Sequence, residues 1–504
     1  MLSLNTPEQA AQWLQRRVTG ELRTDSRKLR AGDGFIAWPG AASDGRQYVR
    51  TALALGAAAC LVEQSGIDDF GFAGDAICAY PDLKHAAGDI AAAYYGHPSH
   101  ALDVVAVTGT NGKTSSTWWL AQALSSLHPD RRLACGLIGT LGVGVPALSP
   151  DVADPLADLQ GTGLTTPDPV LLQQQLRRFV EQGLRACAIE ASSIGLVEHR
   201  LDGTRIRVAV FTNFTQDHLD YHGDMASYWQ AKAALFAWSG LQAAVVNVDD
   251  DQGAELADTL RADGLDLWTV SMQGSARLRA LDVAYGAQGL CVTLAEGDEH
   301  HRLPTTLIGD YNVSNLLGVI AAMRCLGVPL HDAVQACTHL SPVPGRMDCL
   351  SAPAQPLVVV DYAHTPDALD KALTALRPLT RQRGGELWCV FGCGGDRDSA
   401  KRPLMAAMAE KDADRVVVTS DNPRSEKPEA IIAQILLGLS HSAAVQVQAD
   451  RALAIRQTLS QAKDKDVVLI AGKGHERTQE VAGCKYPFSD KAQALAALAT
   501  RVSA

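Results

Sequence analysis

A chain of 504 residues has room for about three domains of ordinary size. It is 47% hydrophobic and 20% charged, and its 45 Lys and Arg against 56 Asp and Glu leave a formal net charge of −11. That balance excludes a general binder of nucleic acid or of anionic membranes, so an anionic ligand must be met by local donors, a metal ion or helix N-termini.

From the N-terminus, Pro7 to Val18 has a helical pattern, followed by a polar turn at Thr24-Asp25-Ser26-Arg27 and a strand over Phe35 to Trp38. Gly96-His97-Pro98-Ser99 reads as a linker. Short apolar strands then alternate with helical stretches: Val104 to Val107, Cys135 to Ile138, Ala186 to Ile189, Val208 to Phe211 and Ala244 to Val248. Alternation at this spacing predicts βαβ units and a mainly parallel sheet. After a second linker, Ser341-Pro342-Val343-Pro344-Gly345, the pattern resumes with strands at Leu357 to Val360, Leu387 to Phe391, Arg415 to Thr419 and Val467 to Ile470. The expectation is an α/β protein of three domains, residues 1–98, 99–341 and 342–504. No apolar run approaches the roughly 18 residues that span a bilayer. The eleven cysteines show neither a disulfide framework nor a CxxC metal pattern. Cys389 and Cys393 read as plain thiols of a reducing cytosol, so a cytoplasmic location is expected.

Nearly every strand of the last two regions runs straight into a cluster of Gly, Asp, Asn, His, Arg or Thr. In open parallel sheets ligands bind beyond the carboxyl ends of the strands, which predicts a cleft between two domains. The most specific cluster follows Val107: Thr108-Gly109-Thr110-Asn111-Gly112-Lys113-Thr114, then Ser115. Glycines there turn backbone N–H groups onto phosphate oxygens, Lys113 reaches the terminal phosphates, and the Thr114 hydroxyl can ligate Mg²⁺. The standard phosphate-loop pattern wants glycine where Val107 stands, but its Gly-Lys-Thr half is intact. A nucleoside triphosphate is therefore expected.

Glu190 ends a buried strand and suits a magnesium ion on that triphosphate; as an alternative it caps the next helix. The stretch Thr215 to His222 adds two histidines and two carboxylates and reads equally as a solvated loop or a metal site. If Ala226 to Trp238 is helical, Lys232 lies among Tyr228, Trp229, Leu235 and Phe236. Such a lysine either snorkels from the core edge or is desolvated. Desolvation lowers its pKa, and a neutral amine can add carbon dioxide to become an anionic carbamate.

Taken together, these segments resemble the Mur ligases, ATP-dependent amide-bond-forming enzymes of bacterial peptidoglycan synthesis. The matching residues are Gly109 to Thr114, Glu190-Ala-Ser-Ser193, Asn213 to His218, Tyr-x-x-Ala-Lys232, Gly309-Asp-Tyr-Asn312 with Asn315, Gly345-Arg346 and Asp361-Tyr-Ala-His364. The resemblance implies an N-terminal α/β domain for the UDP-sugar substrate, a central phosphate-loop ATPase domain and a Rossmann-like C-terminal domain for the amino acid. It also implies ATP contacts from Asn312, Arg346 and Asp361, a carbamylated Lys232, and magnesium held by Thr114, Glu190, His218 and Lys232, with Lys113 also catalytic.

Asp421-Asn422-Pro423-Arg424 is similar to the motif of the diaminopimelate-adding branch, where the arginine reads the distal carboxylate of meso-diaminopimelate. A guanidinium suits that task as a planar two-pronged donor. Similarity adds Arg397, Gly472 and Glu476 to this pocket. For the UDP-muramoyl dipeptide it implies Thr24, Ser26 and the Ser43 to Arg46 stretch at the uridine end, and Thr165, Thr166, Ser192, Glu198 and Arg200 at the peptide end. The chain reads Ser192-Ser193-Ile194-Gly195-Leu196 where the family commonly has Ser-Ser-His-Ala-Leu, and Glu198-His199-Arg200 where Gln-His-Arg is frequent. The implied reaction makes an acyl phosphate from ATP and the D-glutamate carboxylate, which an amine then attacks. Rival readings are a sibling ligase that adds L-lysine and a folylpolyglutamate-synthase-like ligase. A dinucleotide oxidoreductase lacks a full G-x-G-x-x-G, and a GTPase lacks Asn-Lys-x-Asp.

Overall fold

The computed structural model describes residues 2–501 apart from 41–42, 149–151, 153, 263, 287–288, 351–353 and 442–444. Three large sheets, each flanked by helices, follow one another along the chain, and a two-stranded hairpin of Thr478–Val481 and Cys484–Pro487 follows the third. The first is parallel and has five strands, in the order Leu2–Ser3, Ile77–Tyr80, Ala59–Glu63, Gly34–Ala37 and Leu22–Arg23. Its Pro7–Gln15 helix starts with the Thr6 hydroxyl accepting from Gln9 N and with Pro7 in the first turn. Trp13 and Leu14 of that helix and Ile90 of the Leu83–Tyr94 helix pack on Leu61, while Val49 covers the other face at Phe35 and Val62.

The central sheet is the largest, with eleven strands. At its middle Cys135–Gly139, Ala186–Glu190, Asp103–Thr108, Val208–Phe211, Ala243–Asn247 and Asp266–Ser271 run parallel in that spatial order. These strands are rich in Val, Ile and Ala because helices cover both faces. The Lys113–Ser126 and Tyr311–Cys325 helices close one face through Trp118, Leu120, Leu317 and Ile320. The third sheet has six strands, with Leu357–Asp361, Val467–Ala471, Leu387–Phe391 and Arg415–Val418 parallel at its centre.

The long apolar strands fall within a residue or two of the positions expected from sequence. Two helices end earlier than their patterns: the first stops at Gln15, and Met225–Ala233 gives way to a 3-10 turn over Ala234–Ala237. The antiparallel extension Leu278–Gly286, Gly289–Glu296 and Glu299–Pro304 was not foreseen. In its middle strand buried and half-buried residues largely alternate and its last strand is mostly exposed, so it lacks the continuous apolar run that marks the other strands.

The first and central domains meet glycine against glycine. A Cβ on Gly88 would lie 2.2 Å from the Asp202 carbonyl oxygen, and one on Gly203 would lie 2.4 Å from the Gly88 carbonyl oxygen. Backbone faces backbone there, and neither side can give. Gly88→Ala is therefore expected to cost about 1–3 kcal/mol through overpacking and to loosen the first domain. Chemical denaturation and limited proteolysis around residues 96–101 measure both effects; unchanged stability and cleavage would show that the contact tolerates a methyl group.

Candidate active site

The loop after Asp103–Thr108 begins at Gly109, whose φ of +147° and contact with Thr212 exclude a side chain: a Cβ would sit 1.9 Å from Thr212 Oγ1. Gly112, at φ +85°, is excluded in the same way by Asn315 Oδ1 at 2.3 Å. The chain then enters the Lys113–Ser126 helix with its first N–H groups at the loop. Lys113 Nζ donates to the carbonyl oxygens of Gly109 and Thr110, each at 2.8 Å. Burial pulls the Lys113 amine below the ordinary lysine range, opposed by Glu190.

Glu190 is buried at the end of its strand. Its carboxylate accepts from Thr140 N at 2.8 Å and from the Thr114 and Thr140 hydroxyls at 3.1 Å each. It therefore caps no helix; Ser192 does that, accepting from Gly195 N at 3.0 Å. Thr166 Oγ1 donates to the Glu190 carbonyl at 2.7 Å and lies 2.9 Å from Ser192 Oγ, and Arg200 donates to the Thr166 carbonyl at 3.1 Å. A Cβ on Gly195 would meet Thr166 Cβ at 2.7 Å, so the glycine lets this turn pack directly on Thr166.

Lys232 lies beneath the phosphate loop, 1% exposed, with its amine 4.3 Å from the Tyr228 ring centroid and donating to Gly109 O at 2.7 Å. Burial, reinforced by Lys113, holds it well below the ordinary lysine range against the opposing pull of Asp217. Its amine is therefore desolvated, the second of the two sequence readings. Burial also pushes His218 down, with Asp217 opposing.

Thr110 to Ser115, Thr165, Glu190, Ser192, Asp217, His218, Asn312, Arg346, Asp361 and His364 line one cleft of about 650 Å³ between the central and third domains. Arg346 crosses it, stacking at 4.2 Å on the Tyr362 ring and donating to Thr114 Oγ1 at 3.3 Å. Asp361 accepts from the backbone N–H groups of Met347 and Ala363, both at 2.7 Å. His364 donates from Nδ1 to the Tyr362 carbonyl at 2.8 Å, and burial followed by Lys401 pushes it down to about 4.

No three His, Cys, Asp or Glu side chains converge as a ready metal cage among the described residues. The Thr114 hydroxyl and Glu190 carboxylate, 3.1 Å apart, are a sparse all-oxygen pair. Such a pair fits Mg²⁺, which keeps several waters and takes one or two carboxylates together with substrate phosphates.

The remaining candidates lie outside this cleft. Arg424, at φ +51°, has its backbone paired with the Thr478–Val481 hairpin strand and donates from Nη1 to Gly395 O at 2.7 Å. Asn422 is occupied internally: its Oδ1 accepts from Lys473 Nζ at 2.9 Å and Glu480 N at 3.0 Å, and its Nδ2 donates to Glu476 at 2.8 Å. Gly472 gives way to Asp421, whose Oδ2 would lie 2.5 Å from a Cβ there. Pro423 accepts from Glu426 N at 3.0 Å, and Arg397 is exposed. Glu198 is bound by Tyr221 at 2.6 Å and by Lys84 of the first domain at 2.9 Å. Thr24 and Ser26 flank a separate cavity of about 570 Å³ lined by Arg23, Arg27, Lys28, Arg30 and Arg178.

Sequence reasoning missed three supports. Thr140 holds Glu190, and as the residue after a strand it obeyed the strand-end rule. Lys473, fully buried, clamps Asn422 and Glu476. Arg451 has no local signal at all. It pairs with Asp490 at 2.7 Å, both side chains fully buried, and donates to the carbonyls of Ser420 at 3.1 Å and Ala471 at 2.9 Å. These two carbonyls immediately precede Asp421 and Gly472.

Three family models match the chain: "Mur ligase family, catalytic domain" at residues 20–95, "Mur ligase middle domain" at 107–323 and "Mur ligase, glutamate ligase domain" at 345–474. A UDP-N-acetylmuramoyl-L-alanyl-D-glutamate–2,6-diaminopimelate ligase of Acidovorax sp. (strain JS42) is 61% identical over 502 residues, 99% of this chain and 98% of its own. The protein of that name from Janthinobacterium sp. (strain Marseille) is 48% identical over 96% of this chain and 94% of its own. A solved structure of such a ligase superposes with a TM-score of 0.64 at 34% identity, covering 95% of this chain and 94% of its own. MurF from Acinetobacter baumannii, 19% identical, shares the fold with a TM-score of 0.66 over 92% of this chain and 95% of its own.

The Arg451–Asp490 pair yields a prediction independent of ligands. Arg451→Met strands a buried carboxylate and is expected to cost about 3–5 kcal/mol, whereas Arg451→Met with Asp490→Leu recovers most of that loss. Chemical denaturation measures both; a single variant as stable as the parent would remove the brace from the account.

Proposed function

The chain belongs to the Mur ligase family, and from that premise we propose that it joins meso-diaminopimelate to UDP-N-acetylmuramoyl-L-alanyl-D-glutamate at the expense of ATP. The observation that carries the reading is near-full-length likeness to ligases of that name, with Asp421-Asn422-Pro423-Arg424 held in a braced loop. The proposed setting is the cytoplasm, where ATP and the nucleotide-linked precursor are found. No helix among the described residues is long and apolar enough to cross a membrane. The domain limits are set at residues 98 and 341.

In the proposed reaction an oxygen of the D-glutamate side-chain carboxylate attacks the γ-phosphorus, and the bond to ADP breaks. The product is an acyl phosphate. An amine of diaminopimelate then adds to the acyl carbon, loses a proton, and inorganic phosphate leaves with the carbon–oxygen bond pair. No enzyme nucleophile is needed; positioning and charge stabilisation do the work. The Gly109 to Thr114 loop cradles the phosphates, Lys113 turns from its two carbonyls to the transferred group, and Arg346 adds charge from the third domain. Asn312 and Asp361 are assigned to the nucleotide.

Thr114, Glu190, His218 and a carbamylated Lys232 would hold magnesium, which neutralises phosphate charge when bound. Thr165, Thr166, Ser192, Glu198 and Arg200 flank the muramoyl peptide, with Thr24 and Ser26 at the uridine end. Several of these act through neighbours: Glu198 ties two domains together, and Asn422 shapes the loop that presents Arg424. Arg397, Gly472 and Glu476 complete the amino-acid pocket. The Lys232 amine, dry and pulled well below the ordinary lysine range, is suited to add carbon dioxide.

ADP release with the UDP-muramoyl dipeptide and meso-diaminopimelate, L-lysine or no amino acid tests the function directly. Turnover is expected with diaminopimelate and little with lysine; preference for lysine would replace the reading with its sibling. Arg424→Ala is expected to raise the KM for diaminopimelate by about tenfold or more, the scale of one lost charge-assisted contact, with KM for ATP little changed. Equal effects on both would remove Arg424 as the selector. Lys232→Ala is expected to lose most activity and to regain part of it with a small carboxylate such as formate; near-normal activity without additive would contradict the carbamate role.

A further inference from the structure

At the opposite end of the central sheet a second polar cavity, of about 420 Å³, is lined by Arg185, Arg205, Arg207, His100, Asp103 and Gln242. These residues sit at or just before the starts of four adjacent strands, Ala186–Glu190, Asp103–Thr108, Val208–Phe211 and Ala243–Asn247. The phosphate loop leaves the far end of Asp103–Thr108, roughly 16 Å away at the usual rise per residue. The cavity therefore lies outside the active site described above.

Its framework is fixed by main-chain bonds. Asp103 N donates to Arg185 O at 2.9 Å, Arg207 N to Val104 O at 2.9 Å, and Gln242 N to Arg207 O at 3.0 Å. Arg205 N donates to Ser99 Oγ at 2.9 Å. Three guanidinium groups face a single carboxylate, and Asp103 is taken by Arg207 at 2.6 Å. Among the described residues the Arg185 and Arg205 side chains have no hydrogen-bond or ion-pair partner. Two uncompensated forks on rigid strand starts, in a protein of net charge −11, form a local positive site rather than part of a general basic surface.

We propose that this cavity binds a compact pyrophosphoryl group, either free or carried by a nucleoside. One carboxylate would satisfy one fork and leave the others idle. A tetrahedral group with several acceptor oxygens and two or more charges can use forks from separate strands at once. His100 offers a further donor at the rim, its ring stacked 5.4 Å from that of His97. A volume of 420 Å³ accommodates pyrophosphate with space for a few waters or an attached sugar.

The test is calorimetric titration of the full chain with pyrophosphate at physiological salt. Wild type is expected to show one more saturable site than Arg185→Gln/Arg205→Gln, or about tenfold tighter binding at that site. Both arginines are exposed, so the fold should survive the change, and unliganded melting checks it. Equal stoichiometry and affinity in the two proteins would overturn the proposal. So would equal weakening in Arg261→Gln/Arg381→Gln, which removes the same charge elsewhere. Repeating the titration with UDP separates the sources: an extra site with UDP assigns a nucleoside-borne group, and one confined to pyrophosphate assigns the free anion.

Discussion

One carbonyl oxygen organises the centre of this molecule. Gly109 O accepts hydrogen bonds from both Lys113 and Lys232, at 2.8 and 2.7 Å. Two ammonium ions on one oxygen, one of them wholly buried, repel each other in a medium that screens poorly. Burial pulls both amines down, Lys232 well below the ordinary lysine range with Lys113 adding to the push, which eases that repulsion. The glycine that supplies the oxygen cannot be replaced, because Thr212 fills the space of a side chain. Loop shape, lysine chemistry and the presentation of N–H groups to phosphate therefore depend on a single backbone geometry.

Contacts across the main cleft are of a different kind. Arg346 reaches Thr114 at 3.3 Å, Asn111 donates to Asp367 at 3.1 Å, and Arg477 pairs with Asp154 at 2.7 Å. The last pair is well exposed on both sides, and pairs of that type contribute at most about 1 kcal/mol. Within the third domain, by contrast, Arg451, Arg402 and Lys473 are buried cations each held by two or more acceptors, although Arg402 Nε has none. These third-domain loops are thus rigid in themselves and only lightly tied to the Gly109 to Thr114 loop. This suits a reaction whose second substrate must arrive after the first step.

Much of this was legible in the sequence for a simple reason. Strands buried on both faces must be continuously apolar, and parallel strands must release the chain at their carboxyl ends, so apolar run followed by polar cluster marks both fold and site. The nucleotide loop and Glu190 emerged that way, whereas Arg346 was reached only through the family resemblance. The antiparallel extension did not, because a strand packed on one face alternates and carries no long run. Neither did Arg451: it becomes meaningful only when Ser420, Ala471 and Asp490 converge from segments far apart in the chain. Glu198 and Asn422 were found as residues, but their observed partners are protein atoms. Sequence identifies which side chains cluster near a ligand, whereas contact with the ligand depends on hydrogen-bond capacity left over after folding.

That distinction bears on how an acidic protein handles polyanions. It carries a net charge of −11, and several surface arginines, Arg177, Arg261, Arg277 and Arg415 among them, pair with a carboxylate on the same or a neighbouring element. Positive charge with unused donors stands at both ends of the strands, with Arg185 and Arg205 at strand starts of the central sheet. Arg346 stands over Thr114, and Arg424 retains N–H groups beyond the one held by Gly395. Such concentration favours specificity over affinity for anions at large. A polyanion that reaches a strand terminus meets donors held on rigid elements, part of whose ordering was met during folding.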